Sequence, residues 1–181
     1  MSDTTWPPRL ETERLILRRP TLDDAEAMFA AYCSDPEVTR YLTWPTHRDL
    51  DDTHEYLEGV APAWASGEQA GWVLTSRDDG ALLGGIGLRT LSSHALETGY
   101  LLARSHWRQG LMSEALSRIV ELAFAEPSTQ RLQATCHVDN VGSRRLLETL
   151  GFEHEGTLRR HQVLPNISDD PQDMDLLARI R

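Results

Sequence analysis

The run Trp107-Arg108-Gln109-Gly110-Leu111-Met112-Ser113 joins a short apolar segment, Leu96 to Leu102, to a helical pattern that begins at Met112. A glycine at a helix start lets backbone amides approach a ligand closely, and the helix N-terminus carries partial positive charge. Together these make an anion site, most naturally for a phosphate or pyrophosphate. Arg104 and Arg108 flank it with fixed charge. A glycine ahead of a helix is also an ordinary strand-to-helix turn, so both readings stand.

A second group, Asn140-Val141-Gly142-Ser143, precedes Leu146, Leu147, Leu150, Gly151 and Phe152. Asn140 fits a helix N-cap, with Ser143 in the first turn. A cap and a ligand contact are compatible at such a junction.

Other chemistries are excluded. All 18 basic residues are arginine, so there is no lysine Schiff base, lysine base or lysine-dependent phosphate loop. Gly84-Gly85-Ile86-Gly87 starts like a dinucleotide fingerprint, but Thr90 stands where the third glycine belongs and no helix follows. It reads as a strand that admits another backbone. The seven histidines show no metal-ligand spacing, and no Gly-x-Ser-x-Gly elbow supports a hydrolase triad. Trp44, Tyr56 and Trp64 have a spacing that suits either an acceptor pocket or core packing.

The elements that must position these residues follow from periodicity and punctuation. Arg14 to Arg18 reads as a strand, and Thr21 with Asp24 as a capping pair that opens a helix through Tyr32. A helix spans Leu50 to Trp64, with Pro62 a point where it ends early. Gly71 to Thr75 and Leu82 to Leu88 form a hairpin about Asp78-Asp79-Gly80. Then come strand Leu96 to Leu102, helix Met112 to Phe124, strand Arg131 to Val138 and helix Val141 to Leu150. Phe152 to Leu158 and Met174 to Ile180 close the series, joined by a polar, mobile connection from Pro165 to Pro171. The expectation is one mixed α/β domain over residues 1–181, with a mostly antiparallel sheet of about six or seven strands and about four helices.

The chain has 181 residues, 40% hydrophobic and 25% charged, with a net charge of −10. Residues 21–80 hold 13 acids against Arg40, Arg48 and Arg77, which accounts for the whole excess; elsewhere 15 acids balance 15 arginines. Such a distribution excludes a broad nucleic-acid-binding face. No membrane span or secretory signal is present, and Cys33 and Cys136 suit a reduced, cytoplasmic protein. A homodimer stays open, since one chain shows no interface.

The two segments, in this order, resemble the acetyl-CoA site of the GNAT superfamily of N-acetyltransferases. Leu10 to Arg19, Gly99-Tyr100 before Trp107, and Glu155-Gly156-Thr157-Leu158-Arg159 resemble its ribosomal-protein N-terminal (RimJ/RimL-like) group. The resemblance spans nearly the whole chain. It implies pyrophosphate binding by Arg108, Gln109, Gly110, Leu111, Met112 and Ser113, and pantetheine pairing along Leu101, Leu102 and Ala103. Asn140 would contact the pantetheine arm, and Arg104 and Arg145 would frame the anion site.

By the same resemblance Glu97 is the base that takes the amine proton, acting through one water. An amide near Leu102 holds the developing oxyanion. The superfamily's tyrosine falls on Leu147, which removes that group, and Ser143 resembles the serine proposed to protonate the leaving thiolate. Trp44 and Glu97 are the expected acceptor contacts. The function implied is acetyl transfer from acetyl-CoA, without a metal, to a primary amine, a protein N-terminus first. A small amine and a non-catalytic CoA-binding module are the alternatives. The acidic early region predicts a cationic acceptor drawn to an acidic mouth.

Overall fold

The structure, a computed structural model, describes residues 6–181. Eight strands form one sheet in the order β1-β2-β3-β4-β5-β6-β8-β7. They are β1 (Arg9–Glu11), β2 (Leu15–Arg18), β3 (Gln69–Ser76), β4 (Leu82–Ser92), β5 (Ala95–Leu102), β6 (Arg131–His137), β7 (Glu153–Leu164) and β8 (Ser168–Ile180). Five α-helices flank it: α1 (Ala25–Met28), α2 (Pro36–Thr39), α3 (Leu50–Ser66), α4 (Leu111–Ala125) and α5 (Val141–Thr149). Every strand pair is antiparallel except β5 with β6.

Two cores lie on opposite faces of this sheet. On one, α4 buries Leu111, Met112, Ala115, Leu116, Ile119, Val120 and Ala123 against Leu74, Ile86, Leu88 and Leu132. This is the 3.6-residue stripe the sequence predicts, and each fully buried Leu or Ile in it contributes about 2 kcal/mol. On the other, α1 to α3 pack Met28, Tyr32, Val38 and Leu57 against Val73 and Ala103.

Four expectations need correction. An additional edge strand, β1, pairs with β2 and raises the count to eight. The helix expected from Thr21 is three pieces: a 3₁₀ turn (Leu22–Asp24), α1, and a π turn (Phe29–Cys33). In that π turn the Phe29 carbonyl accepts from both the amide and the hydroxyl of Ser34, at 3.2 and 2.7 Å. Pro62 does not end α3, because its ring faces solvent and Trp64 beyond it is anchored. Trp64 Nε1 donates to the Gly71 carbonyl at 3.2 Å, and its ring meets Trp72 edge-on at 5.3 Å.

The fourth correction concerns residues 165–171, expected as a mobile connection. They form the turn and first rungs of a long β7–β8 hairpin, with Val163 opposite Pro171. Leu164 is fully buried, and Asn166 is bound to the loop after α2. Polar alternation on an edge hairpin looks like a loop when the strand it faces is unknown.

Candidate active site

β5 and β6 pair only at Ala95–Arg131, Leu96–Leu132 and Glu97–Gln133. Beyond Glu97, β5 stays on β4 as far as Leu102, while β6 stays on β8 as far as His137. The two strands therefore part, each with an open edge. Ala103 donates its amide to Leu83 O at 2.7 Å on the β4 side, so strand alternation turns the Leu102 amide toward the gap. The Leu102 carbonyl is taken by Trp107 Nε1 at 2.7 Å. Leu96, Tyr100 and Leu102 face the α4 core; Glu97, Gly99 and Leu101 face α1 to α3.

The loop after β5 puts two residues in left-handed backbone, Arg108 (φ 61°) and Gly110 (φ 77°). Gly110 is the N-cap of α4 and offers no side chain, so the first-turn amides of Leu111, Met112 and Ser113 have no side-chain cap. An anion is what completes such an end. Arg108 is exposed and in no ion pair among the described residues. Arg104 is within 3.7 Å of Asp35, the cap of α2. Arg14 braces the loop from β2's leading turn: Nη1 donates to Gln109 O at 3.0 Å, and Nε to Glu114 at 2.7 Å. Burial works to raise the Glu114 pKa, but hydrogen bonds from Thr12 and Arg14 outweigh it and hold the carboxyl below its ordinary range.

Across the gap, Asn140 caps α5 by accepting from the Ser143 amide at 3.1 Å. That leaves its Nδ2 for a ligand. Ser143 Oγ lies 2.9 Å from the Tyr100 hydroxyl, which reaches over from β5. Burial pushes the Tyr100 pKa well above the usual tyrosine value, so the phenol stays neutral. Arg145 is exposed on α5, whereas Arg144 is committed to Glu148 and to the buried Asp175, both at 3.0 Å. Cys136 is buried on β6 and its thiol is raised to about 11; Cys33 is raised to about 12. Burial is the main cause in both, and neither is a thiolate near neutral pH.

On the other face, the Glu97 carboxylate pairs with Arg89 of β4 and accepts from Gln133 Nε2 at 3.3 Å. It is the last rung before the strands part. Trp44 is half-buried against the α1–α3 core and tilts onto His47 at 4.9 Å. Its backbone is held from the far end of the chain: Asn166 Nδ2 donates to Trp44 O at 2.9 Å and Thr39 O at 2.7 Å, while Oδ1 accepts from the Thr46 amide at 2.8 Å. Gly84 meets the expectation of a close backbone, since a Cβ there would lie 2.4 Å from Leu101 O.

The sheet thus opens at its one parallel pair, with a bare helix N-terminus beside the opening. Residues 14–153 match the acetyltransferase (GNAT) domain family. The chain is a GNAT N-acetyltransferase. It is 36% identical over 156 residues to the uncharacterized N-acetyltransferase YoaA of Bacillus subtilis, covering 85% of this chain and 88% of that one. It is 25% identical to the ribosomal-protein-serine acetyltransferase of Escherichia coli, covering 93% and 94%. The fold superposes on Mycobacterium smegmatis RimJ in complex with CoA-disulfide with a TM-score of 0.83, at 22% identity, covering 97% and 88%.

Acetyl-CoA is therefore the acyl donor implied by the family, and this GNAT enzyme has backbone donors suited to it. Tyr100, Arg14, Arg89, Gln133 and Asn166 are site neighbours that no local pattern marks. Each reaches its partner from a different segment; Tyr100, inside the Gly99-Tyr100 pair, and Arg14, inside Leu10 to Arg19, lay in stretches already singled out.

Proposed function

We propose that the enzyme moves an acetyl group from acetyl-CoA directly to the α-amino group of a protein or peptide N-terminus, within a ternary complex in the cytoplasm. The observation that carries this reading is the parting of β5 from β6. It leaves an amide-lined edge open to the α4 cradle on one side and to the Glu97 carboxylate on the other. The ribosomal-protein acetyltransferase among the relatives supports a protein acceptor.

In this reading the amides from Gly110 to Ser113 hold the pyrophosphate, with Arg108 and Arg145 adding charge. The open β5 edge at Leu102, with Asn140 Nδ2, holds the pantetheine, since Leu101 and Ala103 turn their amides to β4. An α-amino group has a pKa of about 8 and is mostly protonated near neutral pH. Glu97 takes its proton through one water. The Leu102 amide stabilises charge on the thioester oxygen as the N–C bond forms. As the C–S bond breaks, Ser143 gives its proton to sulfur, and the second proton, shed by the nitrogen as it becomes an amide, returns to Ser143 through water. The exposed acids of α3, among them Asp51, Glu55 and Glu58, draw the cationic acceptor in.

An acceptor screen with N-terminal peptides and small amines, read as CoA release and product mass, tests the reading. Peptide α-amines are the expected substrates. Glu97→Gln lowers kcat about 100-fold near pH 7 with acetyl-CoA affinity within about twofold. Unchanged activity removes Glu97 as the base.

A further inference from the structure

Gly71 of β3, Gly87 of β4 and Gly99 of β5 are direct register partners, one row across three strands. They share the sheet face of Glu97 and Leu101, the face toward α1 to α3. On one side runs the Arg89–Glu97 rung, and on the other Val73 and Leu101. Tyr56 of α3 stands over the Gly71 end: its hydroxyl would be 3.9 Å from a Cβ there.

Local folding explains only the middle glycine. At Gly87 a Cβ would sit 3.1 Å from Ala70 O, a tight approach to backbone. At Gly99 a Cβ would meet nothing within 4 Å, and at Gly71 only that Tyr56 hydroxyl at ordinary contact distance. Neither residue has positive φ. Glycine inside a strand costs stability relative to a β-branched residue, so two strand positions forgo side chains that fit. What their absence creates is a slot floored by backbone. It is about 10 Å long, two strand spacings, and its flanking rows lie about 13 Å apart, which leaves the width of one extended chain between their side chains. The slot is exposed at Gly99, beside the point where β5 leaves β6, and half-covered at Gly87 and Gly71.

Its walls are electrically neutral. Glu97 is matched by Arg89, Gln133 is uncharged, and Val73 and Leu101 are apolar. A polyamine laid here would set its second ammonium against no unpaired carboxylate, a desolvation loss without return. A peptide N-terminus carries its one cation at the leading end and neutral backbone behind it.

Resting on the N-terminal reading above, we propose that this slot seats the first two or three residues of the acceptor peptide, extended across β5, β4 and β3. The α-amine lies at Gly99 beside Glu97, and the row width selects small first residues over aromatic or branched ones.

The test measures kcat/KM of the wild type, Gly99→Val and Gly71→Val on peptides beginning with Ser, Ala, Phe or Leu, and on spermidine. The wild type is expected to favour Ser and Ala peptides. Both valine variants should keep or gain thermal stability, keep the acetyl-CoA KM within about twofold, and lose at least about tenfold in kcat/KM for the peptides. Wild-type kcat/KM in both variants overturns the slot while leaving acetyl transfer to N-termini intact. Turnover of spermidine and no peptide overturns the occupant and the N-terminal reading together. Inactivity of the wild type on every amine also overturns both, and it shows before any substitution is made.

Discussion

The Tyr100 hydroxyl lies 2.9 Å from Ser143 Oγ, joining β5 to α5 across the gap that β5 and β6 open. The helix position expected to carry a tyrosine holds Leu147, which is fully buried in the α4 core. A phenol nevertheless reaches the gap, from the opposite strand. Tyr100→Phe removes the hydroxyl and keeps the ring. It should cost about 1 kcal/mol of stability and lower kcat several-fold. Ser143→Ala should lower kcat by about tenfold or more. If Tyr100 acts by orienting Ser143, the double variant is no slower than Ser143→Ala alone, and a full cycle of kcat values reads this directly.

Asn166→Ala should loosen the acceptor side. It deletes the bonds to Thr39 O, Trp44 O and the Thr46 amide, which tie the β7–β8 turn to the loop after α2. The expected loss is about 2 kcal/mol by chemical denaturation, with a raised acceptor KM and an unchanged acetyl-CoA KM. A rise in the acetyl-CoA KM instead would mean that this loop serves the donor side.

Gly110→Ala should weaken the donor side. The residue sits at φ 77°, and a Cβ there meets only Arg14 Nη2 at 3.5 Å, so strain and not collision is the cost. About 1 kcal/mol of left-handed strain is relieved by turning the peptide unit, which re-aims the first-turn amides. Calorimetry should show acetyl-CoA affinity down about tenfold.

Acid should release the β8 end of the site. Burial favours protonated Asp175, but hydrogen bonds from Thr157 and His154, with the Arg144 charge, override it and hold the folded pKa below the ordinary 3.8. A folded pKa below the unfolded one means that folding favours the carboxylate. Its stabilisation is complete above about pH 4 and is lost as pH falls through the folded value. Asp175→Asn should therefore be less stable at pH 7 and show a flatter stability profile below about pH 4. An unchanged acid limb in thermal melts would assign that dependence to other carboxylates.

The α4 stripe, the Gly110 helix start and the Asn140 cap were legible because each depends on neighbours within a few residues. The three-piece first helix was not legible, because its apolar spacing does not say whether the Phe29 carbonyl accepts from the fourth residue on or, as here, twice from Ser34, the fifth. Residues 165–171 looked mobile for a different reason: their composition is polar, and their order comes from Leu164 burial and the Asn166 bonds to residues far earlier in the chain.

By itself the sequence determined an acidic, lysine-free chain whose ordered motifs mark one enzyme superfamily and the helix that opens on Gly110. Tertiary structure alone decided that Glu97 is matched by Arg89, that Tyr100 meets Ser143, and that Gly71, Gly87 and Gly99 fall in one row. Helix starts and apolar stripes are written in local spacing. Which side chains meet across strands depends on pairing register, where a slip of one residue turns every side chain to the other face.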